Sequence, residues 1–254
     1  MKKVFVILII AVILTSTECS NKESPGGFFA WMDGYLAMES EEEVSFALTY
    51  FYSNRNVPFS PDEVHALQFD GIEDKIEISD YSVTPRENEA SLPYDSYAFE
   101  ITVKPLKTGV FTTDQLTVNI DNTSVTFKIG TWCFEVLDSA SVSRELLNVW
   151  ESPCVGSNPR TLAYHYKPLD EHVKIKEIWL SDELCVSDSN GLPTSGKIEF
   201  PEEMEAPIHF LRPKIVLEVD GQEVFSIGIS YYSGATNIGE NVLEKSFERS
   251  KSPI

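Results

Sequence analysis

Apolar and polar residues alternate with a period of two along much of this chain. Tyr97, Phe99, Ile101 and Val103 fall on one face of a strand, and Ala98, Glu100 and Thr102 on the other. Leu116, Val118 and Ile120 alternate with Thr117 and Asn119. A turn at residues 121–124 follows, and Val125, Phe127 and Ile129 return. Runs of this kind, bounded by turn residues, predict half-buried antiparallel strands. Residues 46–52 form an aromatic-rich run of the same type, with Tyr50, Phe51 and Tyr52 at its end.

The hairpin at 116–130 has a near copy at 215–228, where Ile215, Leu217 and Val219 lead into Asp220 and Gly221 and Val224 begins the return. Asp-Gly is a strong tight-hairpin signal because it tolerates positive φ. Upstream, Phe46-Ala47-Leu48-Thr49-Tyr50 is echoed by Leu162-Ala163-Tyr164-His165-Tyr166. The two echoes keep their order, which points to a duplicated all-β domain. Many short strands with turns between them predict two tandem immunoglobulin-like β-sandwich domains. The first is placed at 29–138 and the second at 139–242, with a loose charged tail from 243 to 254.

Helix signals are few. Ser60, Pro61 and Glu63 make a capping box with Pro at the first helical position, and predict a short crossover helix carrying Val64, His65 and Leu67. Residues 143–150 fit either a helix or a strand.

The chain opens with Lys2 and Lys3, then an uncharged apolar run over 4–14. That run is shorter than the roughly 20 residues a bilayer crossing needs and fits the core of a secretory signal peptide over 1–18. With Cys19 directly after it and a polar segment through Gly27, this start resembles a bacterial prelipoprotein. The resemblance implies that Cys19 is lipidated and becomes the mature N-terminus, that 19–28 is a tether, and that the chain is held at the extracytoplasmic face of the cell membrane. Ser16, Thr17 and Glu18 depart from the small-residue pattern of that family, and cleavage near Thr17 to give a secreted chain is the alternative. The body in turn resembles the immunoglobulin-like extracellular modules of bacterial surface proteins, in architecture alone.

Composition changes the picture mainly through charge. The formal net charge is −20. Nucleic-acid affinity comes chiefly from Lys and Arg neutralising phosphates, so no nucleic-acid partner is expected. An anionic lipid surface is disfavoured for the body for the same reason. The cysteines are Cys19, Cys133, Cys154 and Cys185. In an oxidising compartment one disulfide is the simplest arithmetic, and Cys154 with Cys185 is the preferred pair because both fall in the second domain. Cys133, between Trp132 and Phe134, reads as a small buried hydrophobe.

Chemistry-bearing motifs are scarce. His65, His165, His172 and His209 share no helix face, and the nucleophile elbow, dinucleotide and P-loop glycine patterns are absent. No catalytic residue, metal ligand or cofactor site is assigned, and no cofactor is expected. Acidic groups around Glu39–Glu43, Glu199–Glu205 and Asp182–Asp188 lack calcium-loop spacing and read as solvated loops. Tyr50 to Tyr52 and the pair Tyr231-Tyr232 are core residues unless one set faces out as a binding platform. The leading reading is a non-catalytic cell-surface binding or adhesion module with a protein or glycan partner. The alternatives are an extracytoplasmic hydrolase of cell-wall or extracellular polymer and a structural subunit of an envelope complex. The expected intact mass of the protein extracted from native-type membranes is residues 19–254 plus a diacylglyceryl group. A lipid-free soluble chain beginning near Glu18 would sink the anchor.

Overall fold

The computed structural model describes residues 26–53, 55, 57–86, 94–148, 154–156, 160–202, 204–234 and 239–252. The leader and Cys19 lie outside them. The first half contains β1 (Gly27–Phe29), β2 (Met32–Glu39), β3 (Val44–Ser53), β4 (Val64–Phe69), β5 (Ile76–Arg86), β6 (Tyr94–Pro105), β7 (Gly109–Ile120) and β8 (Thr123–Leu137). One sheet has the order β1-β3-β6-β5, and β2, β8, β7 and β4 lie side by side in the sheet facing it. β1 and β2 are the halves of a split first strand: Phe29 pairs with Tyr50 on β3, whereas Gly34 pairs with Trp132 on β8. This is the A-B-E-D against G-F-C arrangement of an immunoglobulin-like sandwich. The fold is all-β, as the strand pattern predicts.

The second half contributes β9 (Leu147–Asn148), β10 (Cys154–Gly156), β11 (Thr161–His165), β12 (Lys167–Pro168), β13 (Val173–Trp179), β14 (Cys185–Ser187), β15 (Ser195–Glu199), β16 (Ile208–Arg212), β17 (Lys214–Val219), β18 (Gln222–Ile227), β19 (Tyr231–Ser233) and one helix, α1 (Glu240–Ser250). A sheet of order β14-β13-β17-β18 is accompanied by the pairs β11-β15 and β12-β9. The sequence echoes occupy matching places. The repeated hairpins are β7-β8 and β17-β18, and both turn through an aspartate at positive φ, Asp121 at 50° and Asp220 at 53°. The upstream echoes are β3, paired with β6, and β11, paired with β15.

The two halves share hydrogen bonds. β16 and β17 are a single extended run interrupted at Pro213. β17 pairs within the second sandwich, whereas β16 pairs in parallel with β2 of the first. β19 pairs with β16 on its far side, giving a seven-stranded sheet of order β10-β19-β16-β2-β8-β7-β4. Pro213 has no amide to give to a ladder, and its carbonyl accepts from the Gly228 amide at 2.8 Å. The central strands are covered on both faces. Leu36, Ile208 and Phe210 belong to the first core; Tyr35, Ala37, Cys133 and Leu211 belong to the second.

Two expectations change. The capping box forms, with the Ser60 amide donating to the Glu63 carboxylate at 2.6 Å, but it starts a single 3-10 turn at Pro61–Glu63 and then β4. Val64 and Leu67 are both buried because a bulge between Val64 and Ala66 shifts the strand's phase, and this spacing of three mimics a helix. The tail from 243 is not loose: α1 buries Val242, Leu243 and Ser246, and the Ser246 hydroxyl oxygen accepts from the Trp31 amide at 2.8 Å. Its charges surround a narrow apolar stripe that composition alone obscures. Cys185 is a free thiol, and the side chain of Cys154, its expected disulfide partner, lies outside what is described. Cys185 pairs with Trp179 in one sheet and Cys154 with Tyr231 in another.

The first core is aromatic, with Trp132 stacked on Phe46 at 4.4 Å and on Phe210 at 5.8 Å. Gly34 is required beneath the indole, because a Cβ there would sit 2.3–2.7 Å from its ring carbons. Gly34→Ala is expected to lower stability by about 1–3 kcal/mol through overpacking, read as an earlier urea midpoint with unchanged slope.

Candidate functional site at the joint between the sandwiches

Among the described residues, three hollows lie around the joint. The largest is a cleft of about 660 Å³ between Glu42 to Ser45 of the first half and Leu147, Asn148 and Leu169 of the second, floored by Arg212 and residues 226–230. Glu42 and Glu39 end up here because the β2-β3 turn faces the start of the second half. Arg212 donates to Glu42 at 2.8 and 2.6 Å and to the Ala37 carbonyl at 3.0 Å. Arg144 closes the cluster onto Glu42 at 2.6 Å and also binds Glu39. Burial by itself would raise the Glu42 carboxyl; the hydrogen bonds and charge of Arg212, then Arg144, outweigh it and hold Glu42 below its ordinary range. The cluster neutralises itself and ties β2, β16 and the start of the second half together.

A second pocket of about 210 Å³ lies on the other side of the central strands. It is lined by Asp33, Tyr35, Cys133, Asp182 and His209, among others. Asp33 accepts from the Thr131 amide at 2.8 Å and from the Trp31 indole at 3.0 Å. The Tyr35 hydroxyl donates to Glu135, which also holds Lys214. A third, apolar hollow of about 200 Å³ lies among Leu162, Tyr164, Tyr166, Ile229 and Tyr231.

Cysteine, histidine and aspartate around one pocket suggest a nucleophile, base and orienting acid, and the strand register decides against it. His209 is the direct neighbour of Asp33 across β16 and β2, whereas Cys133 is the neighbour of Tyr35 across β8 and β2. Cys133 and His209 are therefore two strands apart and two residues out of step, about 12 Å between Cα atoms, where a nucleophile and its base must be in hydrogen-bond reach. Burial, then the charges of Asp182 and Glu135, pushes the Cys133 thiol up to about 12. The thiol stays protonated and is not a nucleophile.

The other sequence candidates are dispersed. His65 is exposed and 3.5 Å from Asp121, and His165 and His172 are exposed. Tyr50, Phe51 and Tyr52 are all buried, because Phe28 covers the outer face of β3 with its ring 5.8 Å from Phe51. Tyr231 lies in the second core, and Tyr232 packs on the first with its hydroxyl accepting from the Ala47 amide at 2.9 Å. Neither run is a platform. Among the described residues no three His, Cys, Asp or Glu converge to hold a metal ion. His209 was not distinguished by sequence reasoning. The available signal was the unbroken apolar character of its strand, which marks a sheet buried on both faces.

No protein-family model matches the chain, and no curated protein matches its sequence. Among solved structures, the tandem Ig repeats of Dlar, a Drosophila receptor protein tyrosine phosphatase, are 12% identical, with 82% of this chain and 97% of that one covered at a TM-score of 0.23. The fibronectin(III)-like modules of CbhA from Clostridium thermocellum are 10% identical over 84% of this chain and 98% of that one, at 0.23. A protein of unknown function from Porphyromonas gingivalis W83 is 9% identical over 83% and 97%, at 0.19. Such scores transfer neither function nor strand order, and the fold assignment rests on the strand pairing itself.

His209 and Glu42 make stability depend on pH in one direction. Burial holds the His209 imidazole below its ordinary 6.5 against the attraction of Asp33. The unfolded chain therefore takes up a proton first, and stability falls as pH drops below about 6.5. Glu42, also depressed, adds a second loss below about 4.5. Urea midpoints measured between pH 8 and pH 4 are expected to decline in these two stages, and His209→Phe to flatten the first while leaving the second.

Proposed function

We propose that the chain is a non-catalytic binding or adhesion module, tethered by lipid on Cys19 at the extracytoplasmic face of a membrane, which takes a protein or glycan partner in the cleft at its joint. One observation carries the reading: the walls of the cleft come from different sandwiches but are fixed to each other by the shared sheet and by the Glu42 cluster. A cleft at a domain junction is a common place for a ligand. One whose walls cannot swing apart avoids much of the ordering cost of binding. Its lining mixes hydrogen-bonding groups, Ser45, Asn148 and Ser230, with Leu147, Ile229 and the 61%-exposed Leu169. That mixture suits a partner with both polar and apolar surface. The charged groups at the floor are already paired with one another, so a simple ion gains little there. The N-terminal lipoprotein-like start supports the tether, and the acidic body supports standing clear of an anionic surface.

Arrays of glycans and extended peptides probed with residues 24–254 are expected to yield a saturable binder. Leu169→Arg should weaken it about tenfold or more, as for a central contact residue, with the circular dichroism unchanged. Turnover of a cell-wall or extracellular polymer, abolished by one carboxylate or histidine substitution, would overturn the proposal in favour of a hydrolase.

A further inference from the structure

One strand edge of the second sandwich stands open. Among the described residues, β11 pairs with β15 alone. The Tyr166 amide donates to the Thr194 carbonyl at 2.7 Å, and the Phe200 amide to the Arg160 carbonyl at 2.8 Å. Bonding alternates along an antiparallel pair. The even-numbered residues of β11 therefore bond to β15, and the backbone of Thr161, Ala163 and His165 points the other way. The Thr161 carbonyl bears this out by accepting from the Ser233 hydroxyl of β19 at 3.3 Å. Past that contact the edge opens into the apolar hollow of about 200 Å³, lined by every residue from Leu162 to Tyr166, by Ile229 and Tyr231, and by none of β15. Residues of both faces of β11 line it, so it runs along the open edge.

The edge specifies an extended chain. The amides and carbonyls of Ala163 and His165 point outward at strand spacing, the pattern that an added strand satisfies. The hollow is smaller than the roughly 300–1,000 Å³ that encloses a drug-sized ligand, and it suits a single apolar side chain. Charge is distributed unevenly around it. Lys197 stands opposite Ala163 in register, His165 and Lys167 follow, and all three are exposed. Glu199, the one carboxylate of β11 and β15, stands opposite Thr161, at the end that Ser233 closes. Asp170 and Glu171 come only after β12. A cationic open end on a chain of net charge −20 favours an acidic partner.

We propose that the open edge of Thr161–His165 takes an extended segment of a partner protein, of pattern acidic-apolar-acidic, as an added antiparallel strand. The two acidic residues lie opposite Ala163 and His165 and exchange backbone hydrogen bonds with them. Their side chains point outward, one toward Lys197 across the small Ala163 side chain, the other to His165 and Lys167. The residue between them lies opposite Tyr164. It therefore points inward, into the hollow against Ile229 and Tyr231. The site shares only Ile229 with the cleft of the proposed function and does not rest on that reading.

The probes are two capped peptides, Thr-Glu-Val-Glu-Thr and Thr-Lys-Val-Lys-Thr, titrated into nitrogen-15-labelled 24–254, which contains every described element. In the free protein the amides of Ala163 and His165 are expected to exchange with solvent faster than those of Leu162 and Tyr164. Millimolar glutamate peptide should shift the Ala163 and His165 signals saturably, and at about ten times its Kd should slow their exchange about tenfold. The lysine peptide, and a glutamate peptide methylated at both glutamate amide nitrogens, should each bind about tenfold more weakly. Lys197→Glu, a change at an exposed side chain, should reverse the preference between the charged peptides with the circular dichroism unchanged. Slow Ala163 and His165 amides in the free protein would mean that the edge is already covered, and would overturn the proposal. Equal binding of the two charged peptides, indifference to methylation, or no response at millimolar peptide would each overturn it as well.

Discussion

The parallel pairing of Ile208–Arg212 with the first-half strand Met32–Glu39 is the interaction on which the rest of the structure depends. Two sandwiches joined by a linker alone would move against each other, as small polar interfaces allow. Here the last hairpin of the second sandwich extends through Pro213 and Gly228 into a sheet of the first. Separating the halves would break a backbone ladder and expose Tyr35, Ala37, Cys133 and Leu211 on one side and Phe210 on the other. Backbone hydrogen bonds and apolar burial therefore oppose the same motion.

Electrostatics follows from that pairing. Because the sheet fixes Arg212 beside the β2-β3 turn, Glu42 receives two arginines at once and keeps its charge despite partial burial. On the opposite face the same strands set His209 and Asp33 side by side, with Phe200 packed against the imidazole. The cleft and the inner pocket are thus products of one joint. The terminal helix adds to it by covering the first strand, with Arg249 stacked 4.6 Å over the Trp31 ring.

Strand identity, the two repeated hairpins and the placement of Cys133 were legible in the chain, because alternation and turn chemistry are local. The bulge in β4 was not, since Val64 and Leu67 at a spacing of three satisfy a helix as well as a phase-shifted strand. The helix at 240–250 was hidden by its charges. The candidate site was legible only in its ingredients. Glu39 and Glu42 read as a solvated acidic run, and nothing near them in sequence announces Arg144 or Arg212. His209 looked like any other histidine, although Phe210-Leu211 around it and Tyr35-Leu36-Ala37-Met38 opposite it are unbroken apolar runs of the kind that fill a doubly covered sheet.

The sequence by itself determined an all-β chain with a duplicated hairpin and a strongly acidic composition, because periodicity, turn residues and net charge act over short range or in sum. Tertiary structure alone decided that the duplicated sandwiches share a sheet and that Glu42, Arg144 and Arg212 meet. Those outcomes depend on which strand edges come together across more than a hundred residues of chain. That choice is set by the complementarity of whole faces, and no local pattern records it.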